Sequence, residues 1–216
     1  MKNLFFLCLL LFISNFVRSQ QYDKNIVDSI INEGFLLYKL ESASWKATDI
    51  ALKSEKELLK DVKGYISYLK KDSIFTIFWN KDSNPKVILT FRFDSTFNSK
   101  KMVISNTMRA PYELEDKLIK IREKTLDYIN NDDMGFFKVY PKTSLNLIPI
   151  PYANKDLVIV MTGPKESGIV PFGNDYVIYF NKAGELVNRN KIHNSYIPTP
   201  TVGPSGMPIL QAIHTH

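Results

Sequence analysis

The spacing of apolar residues changes character several times along the chain, and each change marks an element. From Asp23 to about Lys53, Ile26, Ile30, Leu37 and Leu40 recur at intervals of three, four and seven with no intervening proline, which predicts helix. The stretch Ser42-Ala43-Ser44 is expected to end one helix and cap the next. A second amphipathic run through Ile50, Leu52, Leu58, Leu59 and Val62 is expected to stop at Gly64. The period then drops to two. Tyr65–Leu69, Ile74–Trp79 and Val87–Phe93 alternate or run β-branched and aromatic residues, separated by the turn-like Lys70–Ser73 and Asn80–Pro85, as in an antiparallel meander. One short strand is expected near Met102–Ser105.

Pro111 opens a further helix. Glu113, Glu115 and Asp116 favour its positive N-terminal end, Leu114, Leu118, Ile121 and Leu126 share a face, and the run of Asn and Asp from 130 to 133 closes it. Beyond it the pattern is β-rich: Leu145–Ile150, Leu157–Met161, Ile169–Phe172, Tyr176–Phe180 and Leu186–Ile192, with Asn181–Gly184 as a hairpin turn. The Pro- and Gly-rich segment Ile197–Pro208 reads as a loop, and Ile209–Ile213 as a last apolar run. The fold class is therefore α+β: N-terminal helices, an antiparallel meander, one further helix, then a β-rich C-terminal part. A boundary near residue 155 would divide the chain into 20–155 and 156–216, although a single domain fits the length equally.

The first nineteen residues follow a different logic. Met1-Lys2-Asn3, the apolar run Leu4–Ile13 and the small Ser19 have the layout of a cleavable secretory signal, cut after Ser19 or Gln20. The run is too short to span a bilayer, and no later segment approaches that length, so the mature chain has no predicted transmembrane segment. The single cysteine, Cys8, lies inside this leader, so the mature protein has neither disulfide nor thiolate and must hold any metal through nitrogen and oxygen. Export to the periplasm or the cell exterior suits that composition. Removing Lys2 and Arg18 lowers the formal charge from +6 to +4, and the remaining charges are interleaved, which argues against nucleic-acid binding. With 44% hydrophobic residues, the mature chain can bury a substantial core.

Candidate chemistry concentrates at the C-terminus. His214 and His216 would share one side of a strand and could converge on one ion, with zinc the fitting metal if another protein ligand joins them. His193 with Asp175 suggests two members of a triad, but no spacing selects a serine. Gly203-Pro204-Ser205-Gly206 is not a nucleophile elbow, and Gly163, Gly168 and Gly173 do not form a dinucleotide fingerprint. The blocks Trp45–Ile50, Thr162-Gly163-Pro164, Phe172–Tyr176 and Ile213–His216 together resemble an uncharacterised family of exported Bacteroidota proteins, over the whole mature chain.

Residues 160–216 more weakly resemble the JAMM metallopeptidase motif of an upstream Glu, a His-x-His pair and a Ser-x-x-Asp element. The resemblance implies His214 and His216 as zinc ligands and Glu166 as the base that activates the bound water. The Ser-x-x-Asp element has no counterpart, which implies a fragment lacking its last metal ligand. Two functions follow as expectations: an exported, non-catalytic binding or envelope-associated protein, or a JAMM-like zinc hydrolase.

Overall fold

A computed structural model describes residues 23–94, 96–97, 101–152, 155–203 and 205–209. The expected signal segment, residues 1–19, and the pair His214 and His216 lie outside these residues. The described residues fall into two units divided after Tyr38. In the first, the residues from Lys24 onward belong to a helix with Ile26, Ile30, Phe35 and Tyr38 exposed.

That helix, α1, runs without interruption over Lys24–Ser54, so the expected break at Ser42–Ser44 is absent. A serine inside a helix need not end it if its hydroxyl finds a carbonyl one turn back. Ser44 donates to the Leu40 carbonyl at 3.0 Å, and its Oγ lies 2.7 Å from the Ser67 hydroxyl. Ala43, Ala47 and Ala51 are fully buried along the same face, small enough to let the helix approach a sheet closely. The interruption falls instead at Glu55, before the short α2 (Lys56–Leu59).

The meander forms as expected: β1 (Val62–Lys70), β2 (Ser73–Asn80), β3 (Val87–Asp94) and β4 (Val103–Ser105) make an antiparallel sheet in chain order. Gly64 is not a helix stop but part of β1. A Cβ there would lie 2.6 Å from the Trp79 ring, so glycine lets the indole pack directly on the strand. Helix α3 spans Glu113–Asn130. The second sheet contains β5 (Thr143–Pro151), β6 (Asp156–Pro164), β8 (Tyr176–Phe180) and β9 (Leu186–Lys191), in the order β5-β6-β8-β9. Lys155 precedes β6 directly. Between β6 and β8, β7 (Ile169–Gly173) leaves the sheet and pairs with β10 (Tyr196–Pro200) as a two-stranded ribbon.

Strand β10 takes up the first residues of the segment expected to be a loop, Ile197 to Pro200, together with Tyr196 before it. Pro198 faces Pro171 and Pro200 faces Ile169 in the ribbon register. Proline is tolerated because each strand of a two-stranded ribbon has an edge that needs no ladder donor.

The core explains why α3 lies where it does. Leu118, Ile119 and Ile121 of α3 join Ile66, Ile77, Trp79 and Val87 of the meander and Val158, Val160, Tyr176, Ile178 and Phe180 of the second sheet in one buried cluster. Full burial of such a side chain contributes roughly 1.5–3 kcal/mol relative to exposure. The other face of the meander carries Ser67 and Thr76, whose hydroxyls lie 2.7 Å apart and extend the link to Ser44.

Candidate functional site

Glu166 sits in the turn between β6 and β7. Its carboxylate is exposed and lies 2.9 Å from the Lys142 ammonium, a hydrogen bond that raises the Lys142 pKa. No group of three His, Cys, Asp or Glu side chains among the described residues is placed to share a metal ion.

A more organised site, holding the Asp175 and His193 pair, lies where β6, β7, β8 and the link from β9 to β10 converge. A cleft of ≈ 310 Å³ opens there, lined by Met161, Thr162, Pro171, Phe172, Gly173, Asp175, His193, Ser195 and Ile197. Its floor depends on a tight connection between the ribbon and the sheet. Gly173 has φ of +79°, and a Cβ at that position would lie 2.2 Å from the Ser195 carbonyl oxygen. Only glycine permits both the left-handed backbone and that approach. Asn174 follows at φ of +59°, and its side chain supports the bend. Its amide donates to the Lys138 carbonyl and to Thr162 Oγ1, both at 2.9 Å, while its oxygen accepts from the buried Tyr176 hydroxyl at 2.6 Å. Burial raises the Tyr176 pKa and keeps the phenol protonated to donate there.

The chain then presents Asp175 with both carboxylate oxygens engaged. Oδ1 accepts the Thr162 amide at 2.9 Å, and Oδ2 lies 3.0 Å from His193 Nδ1. The backbone fixes the same pair, because the Ile192 amide donates to the Asp175 carbonyl at 2.8 Å. A carboxylate held in this way favours the tautomer with the proton on Nδ1, leaving Nε2 as the acceptor of the half-exposed imidazole. No protein-family model, curated sequence or solved structure matches this chain. Function must therefore be argued from the cleft itself.

The arrangement supplies an oriented histidine, a small polar rim and apolar walls from Phe172, Pro171, Met161 and Ile197. It supplies no activated serine: Ser195 lines the cleft, but among the described residues no hydrogen bond joins it to the His193 ring. Asp175 and His193 are the two residues considered for a triad, and the structure brings them together without the third. The signal for the site was a short polar block, Gly173-Asn174-Asp175, between two apolar strands.

Proposed function

We propose that this chain is an exported binding protein and that the cleft bounded by Phe172, Asp175, His193 and Ile197 takes a small ligand with an apolar body and a hydrogen-bond donor. One observation carries the reading: His193 is oriented by an anchored carboxylate at 3.0 Å inside a largely apolar cleft. The cost of ordering that imidazole is met before any ligand arrives, so its acceptor nitrogen is pre-organised. The hydrolase alternative gains no support from Glu166, whose carboxylate is engaged by Lys142. A direct test uses p-cresol, a ring bearing a phenolic donor, titrated into the mature chain while backbone NMR resonances are followed. Resonances of Gly173, Asp175 and Ser195 should move saturably, and Phe172→Ala or His193→Ala should weaken the response. Changes spread evenly over the protein, or unchanged by either substitution, would remove the cleft as the binding site.

A further inference from the structure

A second cleft lies on the meander, on the face that α3 covers only in part. Strand register puts Lys70, Phe75 and Thr90 on that face, and Thr90 pairs with Ser105 of the edge strand β4. Beyond the N-terminus of α3 these residues, with Thr107 and Tyr112, line a space of ≈ 270 Å³. Its charge is one-sided. Arg109 and Lys70 are the ionic residues lining it, and no carboxylate does. The acid that Arg109 meets, Glu115, is fully buried and already accepts both terminal Arg109 nitrogens, the Tyr68 hydroxyl and the Tyr112 amide. Among the described residues Lys70 has no carboxylate partner; its ammonium stands 5.5 Å from the centre of the exposed Tyr112 ring.

A cation without a carboxylate partner, aromatic rings and a row of hydroxyls around one opening match a ligand with an anionic group and several hydroxyls of its own. We infer that this cleft binds an acidic sugar, its carboxylate on Lys70, its ring against Tyr112 and its hydroxyls on Ser105 and Thr107. Neutral sugars lack the charge-assisted contact, and inorganic anions lack the ring and hydroxyl contacts. Lys70 acts as the charge anchor, since Arg109 is committed to Glu115 at 2.6 and 2.8 Å.

The site is separate from the His193 cleft in residues and in ligand chemistry, so either can fail alone. Calorimetric titration of the mature protein with glucuronate, glucose and inorganic phosphate tests it, alongside Lys70→Gln and Ser105→Ala. Glucuronate should bind on the order of tenfold more tightly than glucose or phosphate, and Lys70→Gln should remove about that factor. Ser105→Ala should weaken glucuronate without changing phosphate. Thermal melting checks that both variants fold, as expected for exposed positions. Equal affinity for glucose and glucuronate, phosphate binding as tight as glucuronate, or an unaltered Lys70→Gln variant would overturn the assignment.

Discussion

Replacing Glu115 by alanine tests how the chain after β4 is tied to the start of α3. The carboxylate is buried completely, yet it accepts four hydrogen bonds: Tyr68 Oη at 2.7 Å, the Arg109 nitrogens at 2.6 and 2.8 Å, and the Tyr112 amide at 2.8 Å. Burial alone would raise its pKa. The hydrogen bonds from Arg109, Tyr68 and the Tyr112 amide, with the Arg109 charge, outweigh burial and hold the pKa below the ordinary 4.5. Deleting one partner of a buried pair costs about 3–5 kcal/mol, because the other charge is left uncompensated. The Arg109 side chain is 23% exposed and can recover some hydration, so the lower end applies, about 3 kcal/mol. In a chain of this size that corresponds to a fall in Tm of roughly 6–12 °C. Urea denaturation of the wild type, Glu115→Ala, Arg109→Ala and the double variant measures the loss and the coupling together. The pH dependence has a fixed sign. A depressed folded pKa stabilises fully above the unfolded value and loses that contribution as pH falls through the folded one. The gap between wild type and Glu115→Ala should therefore be constant near neutrality and narrow below about pH 4.5. A loss under about 1 kcal/mol, or a gap widening on acidification, would refute this account of the network.

Two further substitutions and one titration extend the test to the other regions. Gly173→Ala should destabilise by about 1–3 kcal/mol or more and abolish p-cresol-dependent shifts, since backbone strain adds to the clash with the Ser195 carbonyl. Gly184→Ala has similar strain at φ of +72° but meets only the end of Lys124 at 3.6 Å; chemical denaturation should show the smaller loss there, and equal losses would remove the close approach as the cause. Zinc added to the chain lacking residues 1–19 should bind weakly, with the binding lost in the His214→Ala, His216→Ala double variant; tight binding that survives both substitutions would place the metal elsewhere.

Strands β1 to β3 were legible because β-branched and aromatic residues fill runs of strand length bounded by turn residues, a local signal that survives where burial on both faces leaves little polar alternation. Helix α3 was legible for the same kind of reason, its acidic first turn and its Leu118 and Ile121 stripe being local signals. Ser42–Ser44 misled because serine is ambiguous alone: Ser44 stays helical through its bond to Leu40 and its contact with Ser67, 23 positions away. Gly64 misled in the same way, since its reason for being glycine is the Trp79 ring on the neighbouring strand. The prolines around β10 suppressed a strand whose partner, β7, precedes it by more than twenty residues.

Sequence by itself determined the period of the long elements, the α+β class and the residue types available for chemistry, because these depend on neighbours a few positions apart. Tertiary structure alone decided which of those residues meet. Asp175 and His193 stand 18 positions apart, and Lys70 is 42 positions from Tyr112, so their encounters depend on strand order, register and one glycine at positive φ. No local pattern encodes such a meeting, since the free energy that fixes it comes from burying Leu118, Val158, Tyr176 and Ile178 together in the core.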